Sequence, residues 1–120
     1  MNRRLTALAL CAVALSSCSF QNKNEREADK ITKAVMANDL GPVMGDFDPS
    51  IKNSITRVRV AQLSDELNDQ GAYKGVKQND ANCRTGYVCF DVNFEKRPYK
   101  EVMKVGSDGK VQSWYIHEAQ

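Results

Sequence analysis

The first half of the chain carries three stretches in which apolar residues recur with a helical period. In EREADKITKAVMAND, residues 25–39, Ala28, Ile31 and Val35 fall at i, i+3 and i+7. Acids crowd its first turn, where the helix dipole favours them. Leu40, Val43, Met44 and Phe47 make a second, shorter stripe, interrupted by Gly41-Pro42 and ended at Asp48-Pro49. In TRVRVAQLSDELNDQG, residues 56–71, Val60, Leu63 and Leu67 align and Gly71 supplies a C-terminal stop. Its opening, TRVRV, also alternates as a strand does, so the start of this third helix stays open.

After Gly71 the period changes to two. Ala72 to Gln78 predicts a weak strand, and Tyr87 to Glu95 a strong one. In the second, Val88, Phe90, Val92 and Phe94 share one face, with Tyr87, Cys89, Asp91, Asn93 and Glu95 on the other. Tyr99 to Val105 predicts a third strand, beginning just after Pro98, which cannot donate to a ladder. Val111 to His117 predicts a fourth, with Trp114 and Ile116 on one side and Val111 and Tyr115 on the other. Asp108-Gly109 between the last two strands is a two-residue hairpin signal. Helices first and antiparallel strands afterwards read as α+β, the helices packed on one face of a four-stranded meander.

A different pattern precedes all of this. Arg3 and Arg4 are followed by LTALALCAVAL, residues 5–15, an uncharged run of secretory h-region length. It is too short to cross a hydrocarbon core, which needs about 20 residues. Leu15-Ser16-Ser17-Cys18 then closes the run, and SFQNKN, residues 19–24, is polar. An aliphatic residue and two small ones before a cysteine resemble the lipobox of bacterial lipoproteins. That resemblance implies cleavage before Cys18, a lipid on its thiol and a membrane anchor. It divides the chain into a signal peptide (1–17), a lipidated tether (18–24) and a single α+β domain (25–120). Ser19 after the cysteine implies outer-membrane sorting, with the domain facing the periplasm. The alternative is a Cys18 that is buried or disulfide-bonded after ordinary cleavage.

Removing residues 1–17 changes the charge. The formal +2 comes from Arg3 and Arg4, and the remainder holds 15 Lys+Arg against 15 Asp+Glu. The mature domain therefore lacks the basic footprint of nucleic-acid binding. Two acyl chains anchor firmly without a basic patch, because each buried CH₂ contributes about 0.8 kcal/mol.

Helix, short helix, helix and four meandering strands resemble the cystatin-like cone, the superfamily of nuclear-transport-factor-like and ketosteroid-isomerase-like domains. MANDLGPVMGDFDPSI, Met36 to Ile51, carries the likeness most clearly. The superfamily includes isomerases that place an Asp or His in an apolar pit with a Tyr beside it. On this chain the resemblance implies Asp91, Tyr73, Tyr115 and His117 as the corresponding candidates. The residues themselves favour blander roles. Asp91 lies opposite the Phe90 and Phe94 face, and His117 sits three residues from the end. Tyr73, Trp114 and Tyr115 read as core or rim aromatics and form a candidate binding surface.

With Cys11 in the signal and Cys18 lipidated, Cys83 and Cys89 remain, with five residues including Gly86 between them. An oxidising periplasm favours a structural disulfide between them. A redox pair would normally be C-x-x-C, and a zinc site would have to recruit His117 and carboxylates. No phosphate-binding glycine loop, nucleophile elbow or metal-ligand motif appears, so no cofactor is expected. The expected function is a non-catalytic binding or adaptor module for an envelope protein or a small apolar ligand. An inhibitor or immunity protein against a hydrolase is the alternative, and a small isomerase- or cyclase-like enzyme a further one. A neutral surface argues against inhibition of a cationic hydrolase.

Overall fold

The computed structural model describes residues 21–120. The expected signal peptide and Cys18 lie outside the described residues.

Helix α1 runs Lys23–Met36. Its start is set by a capping box: the Asn22 side chain accepts from Glu25 N (2.8 Å), and Glu25 Oε1 accepts from Asn22 N (3.1 Å). The helix thus begins two residues inside the stretch expected to be tether. Ala28, Ile31, Thr32, Ala34 and Val35 are buried, the expected face and more.

The second stripe folds as a 3₁₀ turn, Gly41–Asp46, with Pro42 in its first turn and Val43 buried. Asp48-Pro49, expected as a stop, also starts something. Asp48 caps α2 (Pro49–Lys52) by accepting from Ser50 N, and Pro49 takes the first helical position, where a missing N–H costs nothing. Helix α3 spans Arg57–Asn68. Thr56 resolves the ambiguity of TRVRV, because its hydroxyl caps the helix by accepting from Arg59 N. Gly71 follows at φ +84°, where a Cβ would also lie 2.5 Å from the Glu95 carboxylate.

The sheet is an antiparallel meander in the order β1-β2-β3-β4, formed by Tyr73–Gln78, Val88–Phe94, Pro98–Val105 and Val111–Glu118. With the helices on one of its faces, the fold is α+β. The core lies between α1 and the sheet, where Ile31, Val35, Phe90, Val92, Tyr99 and Met103 are almost wholly buried.

Two register breaks correct the simple alternation. A bulge between Tyr73 and Val76, with Gly75 at φ +112°, sets both residues opposite the core-facing Phe94 and Val92. A second shift sets Val111 opposite Val105 although Trp114 pairs with Met103. Val111 is therefore fully buried on the Trp114 and Ile116 side, not beside Tyr115 as strict alternation predicts. The β3–β4 connection also differs. Gly106 N donates to Lys110 O, Gly109 N donates to Gly106 O, and Gly109 has φ +82°. That is a type I turn closed by a left-handed glycine, a three-residue loop and not a two-residue one.

Candidate functional site

Helix α1 covers β1 and β2, and α3 packs on α1 instead of on the sheet. The space between α3 and β4 is left as a groove of about 510 Å³, within the range of ligand sites. Val35, Phe47, Ile51, Ile55, Leu63 and Ile116 supply much of its apolar lining, with the Trp114 ring in the wall. Arg59, Gln62 and Glu66 border it from α3. Glu66 accepts a hydrogen bond from the buried Tyr99 hydroxyl at 2.9 Å, and burial with this contact pushes Tyr99 up to about 12. The Arg59 guanidinium has no ion-pair or hydrogen-bond partner among the described residues.

Behind the Trp114 wall is a buried acid that the sequence reading passed over. Glu101 projects from β3 into the core between Phe90 and Ile116 and is fully buried. Trp114 Nε1 donates to Glu101 Oε2. The Thr32 hydroxyl lies 2.8 Å from Glu101 Oε1 and 2.8 Å from Ala28 O. A hydroxyl has one proton, so both contacts are filled when Glu101 is a neutral acid: its O–H donates to Thr32 Oγ1, which donates to Ala28 O. Burial is the main cause of the shift that pushes Glu101 up to about 8, with the Asp29 carboxylate adding to it; the bonds that Trp114 and Thr32 can donate to the ionised carboxylate pull the other way. The available signal was phase: Glu101 falls on the same strand face as Tyr99, Met103 and Val105. Glu101 does not line the groove, so it cannot touch a ligand there. It holds Trp114 in place.

Of the three aromatics expected to form one surface, the structure separates Tyr73 from Trp114 and Tyr115. Tyr73, on the β1 edge far from the groove, donates to Asp29 Oδ1 of α1 and packs on Phe94 with centroids 5.7 Å apart. Burial and the Asp29 carboxylate raise its hydroxyl well above the usual tyrosine value. Trp114 is in the groove wall. Tyr115 borders the groove, but strand alternation turns its ring to the outer face, where it stacks on His117 at 5.8 Å. The other acid–base candidates are also on that outer face. Asp91 pairs with Lys100 (2.5 Å) and accepts from Asn79 (2.9 Å). These contacts hold its carboxyl below the usual range. Asp91, Tyr115 and His117 thus share the open outer face of the sheet, with Lys100 between Asp91 and His117 in register, while Tyr73 stands apart on the helix-covered face. Cys83 and Cys89 do meet, with sulfurs 2.17 Å and Cα atoms 5.9 Å apart, a disulfide distance that closes the loop leading into β2.

Comparisons of the chain with protein-family models, with curated proteins and with solved structures give no significant match. No activity or partner is carried over from a relative, and the functional reading rests on the groove and the sequence.

Proposed function

We propose that this protein is a lipid-anchored, non-catalytic binding module of the bacterial cell envelope, tethered through Cys18 and binding in the groove between α3 and β4. The groove is the observation that carries the reading. It is concave, and it sets apolar side chains such as Val35, Ile55, Leu63 and Ile116 beside polar ones, Ser54, Arg59, Gln62 and Glu66, a mixture that can both bury and orient a ligand. The lipobox-like LSSC supports the anchor and the envelope address. The pairing of Asp91 with Lys100 on an open sheet face, the distance of Tyr73 from that face, and the sealing of Glu101 behind Trp114 support binding over chemistry.

Trp114 is the only tryptophan in the chain, so energy transfer from it to a neutral apolar dye, N-phenylnaphthylamine, reports occupancy of the groove. Saturable transfer in the wild type is expected. It should be lost in Leu63→Asp at unchanged far-ultraviolet circular dichroism. Absence of transfer, or transfer that survives Leu63→Asp in a folded protein, contradicts the assignment.

A further inference from the structure

The groove has a chemical feature that an apolar cavity alone would not need: one of its walls is an open sheet edge. β4 is the last strand of the sheet. Ala119 N donates to Pro98 O at 3.1 Å, which sets the phase of the β3–β4 ladder. In that phase Ser113, Tyr115 and His117 exchange their main-chain bonds with β3. Trp114 and Ile116 are the non-bonded pairs, so their N–H and C=O groups point away from the sheet. No backbone or side-chain bond engages these four groups among the described residues.

Four consecutive residues, Ser113 to Ile116, border the groove. Side chains of a strand alternate between faces, so the strand meets the groove along its edge and not on one face. The molecule already uses this edge once. Asp48 N donates to Val111 O at 2.8 Å, and Phe47 forms a single parallel bridge with Val111. At Pro49 the chain leaves the ladder as α2, which stays beside β4 without pairing to it, and the N–H and C=O groups of Trp114 and Ile116 are left unpaired among the described residues.

We propose that the groove accepts an extended peptide segment, which adds to β4 as a fifth strand, sets apolar side chains among Leu63, Ile55 and Ile116, and presents an acidic group to Arg59. This rests on the binding-module reading above and names its ligand class. The backbone groups decide the class. An acyl chain laid along β4 would cover the N–H and C=O of Trp114 and Ile116 without bonding to them and leave four backbone groups unsatisfied away from water. A peptide strand pairs with them, as in other cases of strand addition. Charge complementarity supplies the acidic element, because Arg59 is the groove's cation and has no partner.

The test titrates the full-length protein with an acetylated, amidated hexapeptide of sequence TVIVTD, following Trp114 emission. Two isomers N-methylated on alternate backbone nitrogens, the TVIVTN analogue and sodium dodecanoate are measured beside it. Saturable binding of TVIVTD is expected, weakened tenfold or more in one methylated isomer only. Arg59→Gln should weaken TVIVTD several-fold and leave TVIVTN unchanged. Equal binding of both methylated isomers, or binding of dodecanoate without the peptide, overturns the inference while leaving the groove as a ligand site. Failure of peptide, dodecanoate and the neutral dye alike overturns the binding-module reading itself. Sedimentation that shows a dimer dissociated by Ile116→Pro assigns the edge to a second copy and overturns the peptide proposal.

Discussion

Replacing Glu101 with glutamine should make this protein more stable at neutral pH and remove most of a pH dependence that runs opposite to that of a salt-bridged acid. The carboxyl is raised to about 8 in the folded protein from an ordinary value of 4.5. Between those two values the folded state holds one proton more than the unfolded state. Stability therefore falls as pH rises, by up to about 1.4 kcal/mol per unit. Below pH 4.5 both states are protonated and the penalty is absent. At pH 7 it amounts to roughly 3 kcal/mol, a large part of a typical domain's 5–15 kcal/mol. Glutamine keeps the bonds of the neutral acid without titrating: its Oε1 accepts from Trp114 Nε1 and one Nε2 hydrogen donates to Thr32 Oγ1, while its second N–H adds a pH-independent cost smaller than the charge penalty at pH 7. The assay is urea unfolding followed by Trp114 emission, from pH 4 to 8.5, for both proteins. Glu27, pushed up to about 7 by burial and by Asp46, titrates in the same window in both and cancels in the difference. The difference between the two curves should be flat near pH 4 and then move progressively in the variant's favour as pH rises, leaving the variant the more stable at pH 7. Parallel curves, or a wild type that gains stability between pH 5 and 8, would refute a neutral, buried Glu101.

Further outcomes follow from the same structure and sequence. Cys18→Ala should abolish incorporation of a labelled fatty acid and release the protein from membranes or leave it uncleaved; membrane partition at the wild-type mature mass would contradict acylation. Alkylation of the unfolded, unreduced protein should find no free thiol at Cys83 or Cys89, and one at each after reduction. Phe90→Ala should cost about 3–5 kcal/mol, since its ring is fully buried between α1 and the sheet. His117→Ala, on the exposed face, should change the same unfolding curve by less than about 0.5 kcal/mol.

Much of the fold was legible because one face of each long element is buried. The Ala28, Ile31 and Val35 face of α1 and the Phe90, Val92 and Phe94 face of β2 are read directly from spacing. Errors came where the backbone breaks its own period. The bulge near Gln112 sends Val111 to the core, and no alternation rule anticipates an extra residue. Asp48-Pro49 is equally good as an end and as a beginning, so α2 went unread. Glu101 was in phase with Tyr99 and Met103, but a charged residue in an apolar register is easily taken for a solvated one. The groove was not legible at all. It exists because α3 packs on α1 and stands off β4, a tertiary choice that no local pattern encodes. For the same reason Tyr73, correctly placed on a strand, lies at the opposite edge of the sheet from Trp114 and Tyr115, which both border the groove.

The central claim, a membrane-tethered domain that binds through the α3–β4 groove, is tested most directly by photocrosslinking in cells. The photoreactive residue p-benzoylphenylalanine is placed at Gln62, which is exposed at the groove border, or at Lys77, which is exposed on β1 away from it. A light-dependent adduct in the membrane fraction is expected from position 62, mapped by mass spectrometry to a peptide segment, with none from position 77. No adduct at 62, or the same adduct from both positions, would contradict the account.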